Sequence, residues 1–103
     1  MLYQSSEKQL TFETPLAKGF LLAKGENHDW VQLIISADGE VVSHIMPVAV
    51  SFYVLEGSGM VEVDHQEFTL NAGDIIEIPA NSSRYWKNVS ETDLILLVVK
   101  QKA

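Results

Sequence analysis

Two side chains in this chain combine reactivity with a place on a strand: His44 and Arg84. An imidazole with an ordinary pKa of about 6.5 can act as general acid or base near neutral pH, or it can complete an internal hydrogen-bond network. A guanidinium keeps its charge and offers a planar fork that fits a carboxylate or a phosphate through two parallel hydrogen bonds. Leaving Arg84 desolvated and unmatched inside a protein costs on the order of several kcal/mol. Its partner is therefore a ligand anion, or an internal carboxylate among Glu62, Asp64 and Glu77, unless a strand end lets it reach water. The other histidines, His28 and His65, read as solvated turn residues whose spacing does not bring them beside His44. Asp29 and Glu56 are further acids that could approach it. With no cysteine, thiolate metal sites and disulfides are both excluded.

The stretch from Phe52 to Asn88 must position these groups. Phe52 to Leu55 is an apolar run stopped by Glu56-Gly57-Ser58-Gly59, a hairpin signal. Met60 to Asp64 alternates, Asp64-His65-Gln66 reverses the chain, and Glu67 to Leu70 returns. Asn71-Ala72-Gly73-Asp74 turns into Ile75 to Ile78, which Pro79 ends. Ser82 to Asn88 then places Arg84, Trp86 and Asn88 on one face. Upstream, Val31, Leu33 and Ile35 share a face from Trp30 to Ser36, Ala37-Asp38-Gly39-Glu40 forms a hairpin turn, and Val41 to Met46 is the next strand. Gly19 to Ala23 reads as a strand, with a helix over Leu16 to Lys24 as the competing option. Met1 to Thr14 lies across the sheet or adds an edge strand. Leu94 to Val99 is expected to be a strand buried on both faces, after which Lys100, Gln101 and Lys102 return to solvent. About nine strands without a helix predict an all-β, double-sheet jelly roll.

Composition narrows the function. At 103 residues and 47% hydrophobic, the chain makes one domain. A net charge of -7 with no Lys/Arg cluster argues against nucleic acid. The start, MLYQSSEKQL, has neither the basic start nor the apolar run of a secretion signal, and the longest unbroken apolar run, Leu94 to Val99, is far short of a membrane span. A cytoplasmic protein without membrane or nucleic-acid partners is expected. The doubly apolar runs at Phe52 to Leu55 and Leu94 to Val99 exceed what one small sandwich buries, so a homodimer is expected, with Trp30 and Tyr53 in the core or at the subunit contact.

Two spaced motifs complete the reading. G-x5-P-x-G-x2-H-x3-N falls on Gly73, Pro79, Asn81, Arg84 and Asn88 with every gap kept. G-x5-H-x-H-x3-E-x6-G falls on Gly39, His44, Met46, Val50 and Gly57 with its first gap one residue short. In these the chain resembles the small single-domain cupins, over about residues 30–99, with residues 1–29 adding edge strands. The resemblance implies a double-stranded β-helix barrel. In metal-dependent cupins, the two histidines and glutamate of the first motif and the histidine of the second bind iron, manganese, nickel or zinc. Here only His44 remains of those four; Met46, Val50 and Arg84 hold the other positions. A thioether is a poor ligand for such ions, a valine is none, and a guanidinium repels a cation.

The expectation is a barrel without a divalent metal or other cofactor, whose interior binds or senses a small molecule, neutral or anionic. Its pocket is formed by His44, Met46, Val50, Phe52, Arg84 and Trp86. The competing reading is a small cupin enzyme of isomerase, lyase or dioxygenase type, metal-independent through His44 or built on a non-standard metal site.

Overall fold

The computed structural model describes residues 1–102, and for Ser43 and His44 the backbone alone. Ten strands follow a short 3-10 turn at Ser5–Glu7: β1 (Gln9–Thr14), β2 (Ala17–Lys24), β3 (His28–Ile35), β4 (Glu40–Ile45), β5 (Val50–Glu56), β6 (Ser58–Val63), β7 (Gln66–Asn71), β8 (Ile75–Ile78), β9 (Ser83–Asn88) and β10 (Leu94–Gln101). Six pair in the order β1-β2-β3-β10-β5-β8 and four in the order β4-β9-β6-β7, all antiparallel. The protein is an all-β jelly roll whose two sheets face each other. No helix among the described residues is long and apolar enough to cross a membrane.

The strand beyond the expected nine is β1, which settles at the sheet edge, where its unpaired rim meets water. The helical option over Leu16 to Lys24 is not taken. Pairing with β3 on one side and β1 on the other satisfies the β2 backbone in extended form.

Alternation decides the core. Leu33, Ile35, Phe52, Val54, Val61, Trp86, Leu94, Leu96 and Val98 point inward from both sheets and form one cluster. Trp86 comes so close to β6 that a Cβ at position 59 would sit 3.0 Å from its Cζ3 and 2.6 Å from Leu94 Cδ2, so glycine is required there. At the β5–β6 turn, Gly57 has φ +81, and a Cβ would also meet the Asp93 carbonyl at 2.7 Å. Asn81 takes the place of a motif glycine with φ +68, a conformation that asparagine tolerates better than most residues.

Three expectations about strand ends and faces need correcting. β10 is buried on its inner face only: Ile95, Leu97 and Val99 are half-buried, because nothing among the described residues covers the outer face of the six-stranded sheet. Lys100 does not return to solvent. β10 continues through Gln101, and the two-residue period that buries Leu94, Leu96 and Val98 carries Lys100 to the same face. β4 stops at Ile45, so Met46 falls in the loop before Pro47, and its carbonyl accepts the Asn81 N–H at 2.7 Å.

Candidate functional site

β9 supplies the centre of the site. Arg84 and Trp86, two residues apart, share its inward face; Arg84 is 5% exposed and Trp86 2%. On one side of β9, Trp86 pairs with Val41 and Arg84 with His44; on the other, they pair with Val61 and Val63. The β4 register shifts between Val41 and His44, a bulge that keeps the two β4 positions opposite alternate residues of β9.

Arg84 and Trp86 line a cavity of ≈ 160 Å³ between the sheets. Its walls are Val31 and Leu33 from β3, Val41 from β4, Phe52 from β5 and Val98 from β10. Thr11, Phe12 and Gly19 from β1 and β2 complete one side, and Lys100 contributes the second cation. Gly19 lies opposite Phe12 in register, and a Cβ there would come 3.2 Å from Phe12 Cβ, so the glycine lets the aromatic side chain lie close.

The Arg84 guanidinium carbon lies 5.6 Å from the centre of the Phe52 ring, within reach of a cation–π attraction. Burial holds its pKa below the usual arginine value, because removal from water penalises the charged form. Phe52 also tilts against Trp86, with ring centres 5.2 Å apart at 56°. The Trp86 Nε1–H is buried with no hydrogen-bond partner among the described residues. The benzo edge of this indole faces Gly59, which pairs with Asn88.

Of the six residues expected to form the pocket, Phe52, Arg84 and Trp86 line the cavity together. Val50 is buried in the core cluster beside it, 1% exposed, without reaching the wall. Met46 does not line it, since the strand alternation that would have placed it there ends one residue earlier. His44 has its backbone opposite Arg84, and its side chain lies outside the described residues. Among the described residues no three His, Asp or Glu side chains are grouped as cation ligands.

Lys100 is the functional candidate that the sequence reading missed, although extending the β10 alternation by one step identifies it. The β1 and β2 residues had no comparable signal, because the hairpin that brings them to the cavity is a tertiary arrangement. Asn88, buried at the end of β9, is a structural residue. Its Nδ2 donates to Ile35 O at 2.9 Å and Thr92 O at 2.8 Å, and its Oδ1 accepts from Ser90 N and Ser90 Oγ at 2.8 and 2.7 Å. On the opposite face of β9, Tyr85 donates a short hydrogen bond to Glu40 Oε2, which pushes the tyrosine pKa up to about 12.

A jelly roll of this topology, with an interior cavity reached by β9, defines a cupin barrel. The family described as the cupin domain matches residues 31–100, and the chain belongs to it. A curated relative, 1-hydroxy-2-naphthoate 1,2-dioxygenase from Nocardioides sp. (strain KP7), is 35% identical over 69 residues; the match covers 66% of this chain and 17% of that protein's length. Among solved structures, a predicted oxalate decarboxylase from Thermotoga maritima is similar with a TM-score of 0.86 and 19% identity over 100% of both chains. Vicilin from Corylus avellana has a TM-score of 0.90 and 19% identity over 98% of this chain and 33% of its own. An RmlC-like cupin from Shewanella frigidimarina has a TM-score of 0.83 and 21% identity over 97% and 88%. At these identities, the structural likenesses establish the fold alone.

Proposed function

We propose that this cupin binds a small organic acid in the cavity between its sheets, as a binding or sensing module without a resident divalent metal. The observation that carries this reading is Arg84: a buried guanidinium lining a cavity of ≈ 160 Å³ whose other walls are largely hydrocarbon. An apolar pocket with one well-placed cation matches an organic acid, in which the hydrocarbon part supplies affinity and the carboxylate fixes orientation. The volume is close to that of an engineered cavity of about 150 Å³ that takes up benzene, which sets the size of the guest. The relative's name supports the same class, since 1-hydroxy-2-naphthoate is an aromatic carboxylate.

The metal-free part of this reading rests on the chemistry of the donor set. Where the family resemblance implies ligands, this chain has a valine packed in hydrocarbon, a methionine beyond the end of β4 and a buried guanidinium. A divalent cation would be repelled by the last and unsupported by the other two.

The assembly that we propose is a homodimer through the outer face of the six-stranded sheet. Leu97 pairs with Tyr53 and Tyr53 with Ile75, forming an apolar row across three strands, and Ile75 is 63% exposed. A second copy related by a two-fold axis would cover this row.

Isothermal titration with benzoate and its uncharged isostere benzamide tests the site. Benzoate is expected to bind, benzamide to bind far more weakly, and Arg84→Met to lower benzoate affinity roughly ten- to hundredfold. Equal binding of the two compounds, or full benzoate affinity in Arg84→Met, overturns the reading. Metal analysis of the purified protein checks the metal-free part: stoichiometric iron, manganese, nickel or zinc overturns it.

A further inference from the structure

We infer that the acid held in this cavity carries two separated acidic groups, one engaged by Arg84 and the other by Lys100. The inference rests on the organic-acid reading above and names the ligand class.

Arg84 reaches the cavity from β9 in the four-stranded sheet, whereas Lys100 reaches it from β10 in the six-stranded sheet. The two cations thus belong to opposite walls, and facing sheets lie about 10 Å apart. One acidic group cannot reach both walls at hydrogen-bond distance; a molecule with an acidic group at each end of a short frame can. Lys100 lies one step beyond Val98, which is in register with Phe52 on one side and Val31 on the other, so its stem continues the apolar wall.

Lys100 is half-buried and has no hydrogen bond or ion pair among the described residues. The acid nearest in register is Asp29, directly opposite it on β3. Its Oδ1 pairs instead with Lys102 Nζ at 3.6 Å, a distance of ionic attraction but too long for a hydrogen bond. An ammonium beside low-dielectric walls, with no carboxylate within ion-pair distance of it among the described residues, gains from an anion brought by a ligand. The overall charge of -7 does not oppose this at short range, because salt screens exposed charges beyond roughly 10 Å. The ligand class is therefore a dicarboxylate on a frame of about benzene's size or a short chain.

The test is titration with paired probes, glutarate against butyrate and terephthalate against benzoate, on the wild type, Lys100→Met and Lys100→Gln. In the wild type, at least one dicarboxylate should bind roughly tenfold or more tightly than its monocarboxylate partner. In both Lys100 variants that ratio should fall to about one. Circular dichroism establishes that each variant is folded, and two replacements of different polarity separate loss of charge from loss of packing. If monocarboxylates bind through Arg84 but dicarboxylates bind no better, or if the preference survives in both variants, the two-acid inference is overturned while the organic-acid reading stands. Tighter binding of phenyl phosphate than of either dicarboxylate also overturns it, by identifying a single dianionic group. If no acid binds, the organic-acid reading itself fails.

Discussion

The guanidinium carbon of Arg84 stands 5.6 Å from the ring centre of Phe52, so a buried cation from one sheet rests against an aromatic face from the other. The contact joins the two layers at the cavity and offsets part of the cost of removing Arg84 from water. Phe52→Leu keeps a hydrocarbon of moderate size but removes this contact and the tilted pairing with Trp86. It should destabilise the protein by about 2 kcal/mol in urea unfolding and weaken benzoate binding. A change below about 0.5 kcal/mol would mean that the ring acts only as filler.

Gly59 sets the depth to which Trp86 enters the core. Adding a methyl there places a carbon 2.6 Å from Leu94 Cδ2 and 3.0 Å from Trp86 Cζ3, and both side chains are buried. Gly59→Ala should cost about 1–3 kcal/mol through overpacking, and it should shift Trp86 fluorescence as the indole is displaced toward the cavity. Unchanged stability together with an unchanged emission spectrum would contradict the packing argument.

Asn88 satisfies three backbone groups with one buried amide, tying the β9–β10 connection to β3. Asn88→Ala leaves Ile35 O, Thr92 O and Ser90 N to find new partners, and it should lower stability by about 3 kcal/mol. Chemical denaturation measures this directly. A loss under 1 kcal/mol would show that water replaces the amide at about the strength of the original bonds.

Asp64 couples the β6–β7 turn to the start of β9. Its carboxylate accepts the Ser83 N–H at 2.9 Å, and this bond, followed by one from the Ser82 side chain, lowers its pKa from the ordinary 3.8. A carboxyl with a depressed folded-state pKa contributes stability above its unfolded value, and that contribution is lost as pH falls through the folded value. Wild type should therefore exceed Asp64→Asn in Tm near neutral pH, with the gap closing below about pH 4 as Asp64 is protonated. Asparagine also tolerates the positive φ at this position, +46, so the comparison isolates charge. A gap that does not change with pH would assign the effect to something other than ionisation.

Most of the β architecture was legible along the chain. The alternation in Val31, Leu33 and Ile35 and in Arg84, Trp86 and Asn88, together with turns at Gly39, Gly57 and Gly73, determined strands, faces and the membership of the core. These are local properties, governed by the two-residue period of a strand and by which residues tolerate a reversal. The spacing of Gly73, Pro79, Arg84 and Asn88 also carries the resemblance to the cupin family that the match over residues 31–100 shows.

Tertiary structure decided what no local pattern carries. Whether Met46 or Lys100 faces the interior depended on where β4 and β10 stop, which is set by partners more than 30 residues away in sequence: β9 for β4, and β3 and β5 for β10. The end of β4 leaves Met46 off the cavity wall, and the length of β10 brings Lys100 to it. That β1 closes one side of the cavity followed from sheet pairing alone. Arg84 and Lys100 reach one cavity from strands in different sheets, and a one-dimensional pattern does not encode that proximity.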